Sequence, residues 1–355
     1  MRLIALFPGI ILSLCIAAAA APASAAEPPL KVAVVIVTMF EIGADTGDMP
    51  GEFQLWVERE KLDRVIPLPQ AYHDVRANAD GSVIGIVTGM GNSRSAASIM
   101  ALGLDPRFDF SQAYWLVAGI AGIDPADGTL GSAVWAEWLV DADLGHEIDA
   151  REIPAGWKTG YLPFGRTEPY QQPRKDLNLG EAYRLDPGLV EWAYQLTKDT
   201  PLPDNEKIAA RRAAYTGYPN AQRPPFVLKG DQLAGSTYWH GKLMNEWAND
   251  WVRYHTDGKG NYVTTAMEET GTLQSLTWLD RAGKVDVKRV LVLRTASNFD
   301  MQWPGGTAAE SLASEKGDGY SGLIPALEAA WRVGSRVVHE LLKNRDRYAT
   351  ELPGP

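Results

Sequence analysis

The stretch KVAVVIVTMFEIGAD, Lys31 to Asp45, decides how the rest of the chain is interpreted. It contains a nearly unbroken run of apolar and small residues, Val32 to Val37, which has the length of a buried strand. Carboxylates follow at once, at Glu41, Asp45 and Asp48. In open α/β sheets ligands bind outside the carboxyl ends of the strands. The stretch therefore predicts a core strand that carries acidic side chains to a cleft.

The first 25 residues have the composition of an export signal. Arg2 is followed by an apolar run, and the tripeptide ASA at 23–25 offers a small-x-small cleavage site. The run is short and is broken by two prolines, which disfavours a membrane anchor. We therefore predict a signal peptide over residues 1–25, cut near Ala25. The mature domain, residues 26–355, is then periplasmic or secreted.

Charge and cysteine content exclude several classes of protein. The chain has 44 acidic and 34 basic side chains, a net charge of −10, and loss of Arg2 makes the mature chain more acidic still. This charge argues against nucleic acid and anionic membranes as partners. The single cysteine, Cys15, lies in the signal peptide, and the five histidines show no metal-ligand spacing. We expect no metal, no cofactor and no membrane span in the mature chain.

Strand-like and helix-like patterns alternate along the chain and predict a single α/β domain. The predicted strands are Val32–Val37, Val83–Val87, Ala113–Ala118, Ala133–Val140 and Val290–Arg294, and the predicted helices are Ser95–Leu102, Leu189–Thr197, Thr270–Ala282 and about Ile324–Lys343. Two segments, 156–178 and 201–225, are rich in Pro, Gly and aromatic residues. Their length favours functional loops on one domain over linkers between two.

Small or polar residues follow several of these strands. GMGNSR at 89–94 follows the strand that ends at Val87, GIAG at 119–122 ends the next strand, and Ser297-Asn298 comes after Arg294. A Gly-rich turn is most often only a turn, and GMGNSRSA lacks the lysine of a phosphate-binding loop. The convergence of several such strand ends nevertheless predicts a cleft for a small molecule.

The segment YVTTAMEETGTLQSL, 262–276, places a Met-Glu pair where an extended run gives way to a helix. The carboxylate of Glu268 can accept two hydrogen bonds from a vicinal diol such as a ribose offers. Met267 can pack on a flat sugar or base. The alternative is a glutamate that the helix dipole alone favours at a helix N-terminus. This segment by itself favours the helix-dipole interpretation.

Taken together, these stretches resemble the nucleoside phosphorylase and nucleosidase superfamily, with a GD turn at 230–231 and RTASN at 294–298 as further matches. More closely, residues 31–348 resemble the purine nucleoside permease family. The specific matches are VTMFEIGADTGDMPGEFQLW at 37–56, VTGMGNSRSAASI at 87–99 and AMEETGT at 266–272. The resemblance implies a nucleoside phosphorylase-like fold with a central mixed sheet flanked by helices. It also implies a purine nucleoside ligand and a role in nucleoside uptake.

The resemblance further implies roles for individual residues. Glu41 corresponds to the acid that activates water in nucleosidases, and Glu268 corresponds to the ribose-binding glutamate, with Met267 against the sugar. The other substrate-binding candidates are Gly119, Ala121 and Gly122 in the GIAG turn, Leu233 after the GD turn, and Ser93 and Arg94 as an anion site.

Two departures from the superfamily pattern bear on the reaction. Phosphorylases of this fold place an arginine before the GIAG turn and a serine within it, where this chain has Val117 and Ile120. Phosphorolysis by that pattern is therefore disfavoured, although Ser93 and Arg94 remain as an anion site. At the base side the superfamily often has an aspartic acid that protonates purine N7, where this chain has Asn298. As an amide, Asn298 can hydrogen-bond purine N7 and a 6-oxo group but cannot donate a proton. Either Asp300, two residues on, takes the acid role, or cleavage is slow and the protein mainly binds.

The favoured function is that of an exported, soluble purine nucleoside-binding protein that hydrolyses the N-glycosidic bond. The alternatives are a carrier that feeds nucleoside to a membrane transporter and a phosphate-dependent phosphorylase with phosphate as a second ligand. A permease name conflicts with a mature chain that has no apparent membrane span, because such a chain cannot form its own channel. The resemblance also implies a homo-oligomer.

Overall fold

The structure, a computed structural model, describes residues 28–317 and 321–354. The predicted signal peptide, residues 1–25, lies outside the described residues. The strands, numbered in chain order, are β1 (Leu30–Lys31), β2 (Val34–Thr38), β3 (Arg64–Ile66), β4 (Val75–Ala77), β5 (Val83–Val87), β6 (Phe108–Asp109), β7 (Tyr114–Ile123), β8 (Ala133–Trp135), β9 (Trp138–Asp141), β10 (Gly145–Glu147), β11 (Tyr161–Pro163), β12 (Ala182–Arg184), β13 (Val227–Lys229), β14 (Asp231–Ala234), β15 (Tyr262–Ala266) and β16 (Val290–Phe299).

Helices connect many of these strands. They are α1 (Gln54–Arg59), α2 (Asn92–Gly103), α3 (Pro187–Thr197), α4 (Glu206–Ala213), α5 (Lys242–His255), α6 (Glu269–Arg281), α7 (Ala308–Gly317), α8 (Leu323–Lys343) and α9 (Arg345–Thr350), with a 3-10 turn at Val287–Arg289. Helix α3 begins at Pro187, and the side chain of Asp186 caps its N-terminus by accepting a hydrogen bond from the Leu189 amide.

One large sheet organises the described residues. Its main path runs β12-β9-β14-β15-β7-β2-β5-β4-β3, and β16 adds to β7 and β8, with β13 beyond β8. The pairs β2–β5, β2–β7 and β7–β16 are parallel, whereas β7–β15, β8–β16 and β4–β5 are antiparallel. The predicted α/β fold with a central mixed sheet is therefore confirmed.

The central strands β2, β5 and β16 are buried along their whole length, and β7 is buried except at Ile120. A strand covered on both faces is apolar at successive positions, which is why these strands gave the strongest sequence signals. Two of them are longer than predicted, since β7 and β16 continue to Ile123 and Phe299. Their parallel pairing extends to that point and holds polar residues within strand structure.

Other boundaries also differ from the sequence prediction. The predicted strand Ala133–Val140 is two strands, β8 and β9, which have different neighbours in the sheet. The segment 201–225, predicted as a loop, contains helix α4, and the segment 156–178 contains β11. Helix α8 begins one residue earlier than predicted and packs against β7, β8 and β16, while α2 packs against α6.

An irregularity in β16 lies beside the site described below. Residues Val290 to Ala296 pair in register with Trp115 to Ala121, but Asn298 then pairs with Gly122. Ser297 is thus the extra residue of a bulge. A bulge bends its strand and redirects side chains, and here Ser297 and Asn298 both line the same cavity.

Candidate functional site

A cavity of about 410 Å³ lies at the carboxyl ends of β2, β7, β15 and β16. That volume lies within the range of small-molecule sites, roughly 300–1,000 Å³. Its lining is mainly apolar, with a few polar groups. The described residues that line it are Met39, Phe40, Ile42, Met49, Glu52, Met90, Ile120, Ala121, Gly122, Thr237, Tyr238, Trp239, Thr265, Ala266, Met267, Glu268, Arg294, Ser297, Asn298 and Leu323.

A buried guanidinium forms the polar floor of this cavity. Arg294 in β16 is 2% exposed. Its guanidinium contacts the carboxylate of Glu268 at 2.9 Å and also contacts the carboxylate of Glu269. Its Nη1 lies 3.7 Å from Glu52 Oε1. Burial opposes the charged form of Arg294, but the Glu269, Glu268 and Glu52 carboxylates outweigh burial and raise its pKa. The cation is therefore permanent and is surrounded by an excess of acid.

Glu52, in the loop after β2, is one of the two glutamates that line the cavity. Its Oε2 accepts a hydrogen bond from the Met39 amide at 2.8 Å, and its Oε1 accepts one from the Ile120 amide at 2.7 Å. Burial raises the pKa of Glu52 to about 7, against the opposing effects of Arg294 and of these two backbone donors. A carboxyl group that titrates near neutrality and lines a cavity is a candidate for proton transfer.

Glu268 ends the segment between β15 and α6 and also lines the cavity. Its Oε1 accepts a hydrogen bond from the Gly91 amide at 3.1 Å, and its Oε2 accepts one from Arg294. Gly91 has a φ of +91°, a conformation that disfavours side chains and brings the loop after β5 to this carboxylate. Burial raises the pKa of Glu268 although Arg294 opposes that shift. Met267 lies beside it at the cavity wall.

Glu41 lies elsewhere in the same loop. Its carboxylate accepts hydrogen bonds from four backbone amides. One belongs to the next residue, Ile42, and the others belong to Gly51, Phe53 and Gln54, immediately before and at the start of α1, with Gln54 at 2.6 Å. Glu41 is not among the described residues that line the cavity. Its predicted role as water activator stays a prediction, although the backbone contacts occupy its oxygens.

The other two acids of that loop also have local partners. Asp45 forms ion pairs with Arg76, at 2.7 Å, and with His73, at 2.9 Å, and Asp48 accepts a hydrogen bond from the Ala44 amide. The carboxylates that follow β2 in the sequence therefore serve mainly to order the loop.

The predicted substrate-binding residues divide between cavity wall and surroundings. Ala121, Gly122 and Met267 line the cavity with Glu268 and Asn298, whereas Gly119 packs behind it. A Cβ at Gly119 would lie 2.5 Å from both Glu52 Oε1 and Arg294 Nη1, so this glycine lets the two charged groups approach each other.

Three further candidates lie away from the cavity. Leu233 is fully buried in a core cluster with Trp247 and Trp251. Ser93 and Arg94 are exposed at the start of α2, and the Arg94 guanidinium donates to the Met90 carbonyl at 3.0 Å. Neither residue is among the described residues that line the cavity, and their role as an anion site stays a prediction.

Asn298 lies in the cavity wall with both ends of its amide engaged. Its Nδ2 donates to the Tyr238 hydroxyl at 2.9 Å, and its Oδ1 accepts from the Ser297 hydroxyl at 2.9 Å. Tyr238 also lines the cavity, and its hydroxyl donates to Glu315 Oε2 at 2.7 Å. Burial raises the pKa of Glu315. Asn298 is thus part of a chain of polar groups that ends on a buried carboxyl.

Asp300, the other base-side candidate, is fully buried behind the cavity. Its carboxyl accepts hydrogen bonds from Tyr262 and from Asn245 Nδ2, at 3.1 Å. Burial, with the nearby Asp124 carboxylate, raises its pKa well above the usual value. Asp300 does not appear among the described cavity-lining residues, and its contacts serve to join β15, β16 and α5.

Sequence reasoning missed four polar residues of this region: Glu52, Arg294, Tyr238 and Glu315. Glu52 lies within the matched stretch at 37–56, and Arg294 lies within RTASN. Both would have been found if every polar residue of those two stretches had been treated as a site candidate. Tyr238 and Glu315 lie in segments with no pattern typical of a site. Only the folded chain brings them to Asn298.

Through residues 28–317 and 321–354, no helix combines the length and the apolar character needed to cross a bilayer.

Comparison with solved structures identifies the fold. The chain is similar to a 5′-methylthioadenosine/S-adenosylhomocysteine nucleosidase from Neisseria meningitidis, with a TM-score of 0.50 and 16% identity over 88% of this chain and 100% of that one. It is similar to a futalosine hydrolase of Helicobacter pylori, with a TM-score of 0.51 and 16% identity over 87% and 99% of the two chains. These likenesses show a nucleoside phosphorylase-like fold.

Sequence comparison identifies the family. A probable purine nucleoside permease of Schizosaccharomyces pombe is 34% identical over 260 residues, which are 71% of this chain and 74% of that protein. A purine nucleoside permease of Candida albicans is 27% identical over 318 residues, 88% of this chain and 75% of that protein. The profile of the family described as purine nucleoside permease (NUP) matches residues 31–353. The chain therefore belongs to the purine nucleoside permease family.

Proposed function

We propose that the protein binds purine nucleosides in this cavity and hydrolyses their N-glycosidic bond. The observation that carries the proposal is the position of Glu52. It is a buried carboxyl with a pKa of about 7, held by two backbone amides at the cavity wall across Arg294 from Glu268. One carboxylate can hold the sugar while the other transfers a proton.

Glu268 is the group proposed to bind the ribose diol. Arg294 and the Gly91 amide fix its carboxylate, and a charged acceptor forms strong hydrogen bonds with hydroxyl donors. Met267, Met39 and Met90 line the cavity nearby and offer flexible apolar surface to a flat sugar or base. These features suit a nucleoside, which has a polar diol and a planar aromatic base.

Glu52 is the group proposed to activate water. It takes a proton from the water as the oxygen bonds to C1′ of an oxocarbenium-like sugar, while the bond electrons leave with the purine. The ionised form accepts the Met39 and Ile120 amides and lies near Arg294, so these contacts stabilise the form that acts as a base. General base catalysis contributes about 10²–10⁴-fold.

Electrostatics favour water over phosphate as the second reactant. Arg294 is the one basic side chain among the described cavity-lining residues, and it is already paired with Glu268 and Glu269 and lies near Glu52. A phosphate anion at that floor would meet an excess of carboxylates, which repel it. Arg94, the other candidate cation, is exposed and bonded to a backbone carbonyl.

The test is to incubate the purified protein with inosine, guanosine and adenosine, with and without phosphate, and to measure free base and ribose products. Hydrolysis predicts free base and ribose at equal rates in both buffers. Formation of base and ribose 1-phosphate only with phosphate would show a phosphorylase instead. Binding measured by calorimetry without any cleavage would overturn the hydrolytic proposal in favour of a carrier.

Export of the protein is a second proposal, which rests on the sequence of residues 1–25 alone. We expect the protein recovered from the producing cells to begin near Ala26, outside the cytoplasm. Mass determination of the intact natural protein gives the answer. An uncut N-terminus in a cytoplasmic fraction would exclude the cleaved signal peptide.

A further inference from the structure

The chain of polar groups at the wall of the cavity is not explained by nucleoside binding alone. Asn298 Nδ2 donates to the Tyr238 hydroxyl, and that hydroxyl is 2.7 Å from Glu315 Oε2. Glu315 comes from α7, an element that contributes none of the described cavity-lining residues, and it is 7% exposed. Tyr238 and Asn298 therefore connect the cavity wall to a buried acid.

We propose that Tyr238 donates the proton that the departing purine requires, with Glu315 as the positioning residue that supplies Tyr238 with its replacement. The proposal rests on the proposed hydrolysis and identifies its second proton-transfer group, opposite to Glu52.

Departure of the purine creates a need that the predicted base-side residues do not meet. The base leaves with the electron pair of the glycosidic bond, so protonation of a ring nitrogen lowers the barrier. Asn298 is an amide and has no transferable proton at neutral pH. The Asp300 carboxyl is bonded to Tyr262 and Asn245, and Asp300 is not among the described residues that line the cavity.

The surroundings of Glu315 favour the protonated form that this role requires. Burial raises its pKa, while Tyr238, Arg211 and Asn298 oppose the shift. The ring of His240 lies 3.8 Å from Glu315 Oε1, but burial, together with Arg211, lowers the pKa of His240 to about 4. His240 is therefore neutral near pH 7 and does not hold Glu315 in its charged form.

The bonds broken and formed and the protons transferred balance in the proposed hydrolysis. The C1′–N9 bond breaks and its electron pair moves to the purine, which takes the Tyr238 hydroxyl proton at a ring nitrogen. For this transfer the hydrogen bond between Tyr238 and Glu315 runs in the opposite sense, with a protonated Glu315 carboxyl donating to the Tyr238 oxygen. Glu315 passes its proton to that oxygen as Tyr238 protonates the purine. Water gives its hydroxide to C1′ and its proton to Glu52. Glu315 then regains a proton from solvent and Glu52 releases one, so the sum is hydrolysis of one nucleoside by one water.

The experiment compares inosine with its N7-methylated derivative, whose purine leaves without protonation at N7. We expect Tyr238→Phe and Glu315→Gln to lower kcat for inosine by about 10²-fold, the lower end for a general acid. For N7-methylinosine the same variants should lower kcat by less than about threefold, because the proton is no longer needed. Glu52→Gln should lower kcat for both nucleosides, because both need the water.

Glu310→Gln is the matched control, since Glu310 is an exposed acid on the same helix and its carboxylate is hydrogen-bonded to Thr307 at the helix N-terminus. It should leave both rates unchanged. Equal losses on the two nucleosides in Tyr238→Phe and Glu315→Gln would show a structural role and overturn the proton-donor assignment while hydrolysis stands. Absence of cleavage of either nucleoside by the unaltered protein would overturn the hydrolytic proposal itself, and the donor role with it.

Discussion

Glu41 and Glu52 lie in one loop, yet the fold uses them in opposite ways. Glu41 is partly exposed, and its two oxygens accept four backbone amides around Gly51 and the start of α1. Glu52 is 5% exposed, accepts one backbone amide from the start of the loop, Met39, and one from β7, Ile120, and faces the cavity. The first glutamate orders the loop, and the second is carried by that ordered loop to the wall of the site.

Two acids that follow the same strand can have different surroundings, so position after a strand does not by itself determine whether a carboxylate faces the cavity. A carboxylate surrounded by local amides stabilises a turn, whereas one desolvated among Arg294 and Glu268 changes its protonation near neutral pH. Glu41 is bonded to amides of its own loop and of α1, whereas Glu52 meets the Ile120 amide of β7 and the Arg294 guanidinium of β16. Removal of each charge in turn tests this difference.

The largest expected effect separates the two glutamates by activity. Glu52→Gln keeps the size of the side chain but cannot take a proton, so kcat for inosine should fall by about 10²-fold or more with little change in nucleoside affinity. Glu41→Gln serves as the matched variant and should retain kcat within about threefold. Steady-state kinetics of both proteins give the comparison. The reverse pattern would restore Glu41 to the role predicted from sequence and remove Glu52 from it.

A smaller effect is expected at the other cavity carboxylate. Glu268→Gln replaces a charged acceptor of the ribose hydroxyls and should weaken nucleoside binding by about 1.5–3 kcal/mol, the range for hydrogen bonds to charged groups. Free hypoxanthine, which has no ribose, should bind nearly as before. Calorimetry with inosine and hypoxanthine distinguishes the two ligands, and equal losses for both would exclude a contact with the ribose.

The pH dependence of the reaction tests the environment of Glu52. As a base it must be ionised, so kcat should rise with pH through about 7 and fall about tenfold per unit below it. A rate that stays level from pH 5 to 8 would contradict a raised pKa for the catalytic base.

Stability gives an independent readout of the same group. The folded pKa of Glu52 lies above its usual value of 4.5, so its contribution to stability is fully present below that value and is lost as pH rises through about 7. Unfolding by urea at pH 4.5 and pH 8 should show a larger loss of stability in the natural protein than in Glu52→Gln, which keeps the other buried carboxyls with raised pKa values.

The smallest effect concerns the stability of the Glu41 loop. In the natural protein several backbone N–H groups donate to the Glu41 carboxylate, and Glu41→Gln replaces one of its oxygens with an NH₂ group that cannot accept from them. The change should therefore lower the free energy of unfolding by about 0.5–2 kcal/mol, as loss of a helix cap does. Urea unfolding at pH 7 measures this change. Asp48→Asn, which alters a single loop contact to the Ala44 amide, should have a smaller effect. Equal stability of Glu41→Gln and the natural protein would show that the contacts do not stabilise the loop.

The fold was predictable wherever one local pattern controls structure. Buried strands such as β5 are apolar at successive positions, and α8 carries apolar residues at helical spacing over its whole length, so both were found almost to the residue. The ends of β7 and β16 were not, because Gly119, Gly122, Ser297 and Asn298 interrupt the apolar pattern, and pairing with neighbouring strands holds these residues in strand structure. Helix α4 lies in a segment whose prolines are typical of a loop, so the helix was not predicted.

The sequence by itself determined the family, the mixed α/β fold, and the positions of Met267, Glu268 and Asn298 at strand ends, because these features depend on residue type and order along the chain. Only the tertiary structure decided which acids face the cavity. Burial, the buried charge of Arg294 and the approach of Glu315 from α7 all come from residues that are distant in sequence. The pKa of a carboxyl and its available partners depend on those neighbours, so the choice between Glu41 and Glu52 belongs to the folded chain.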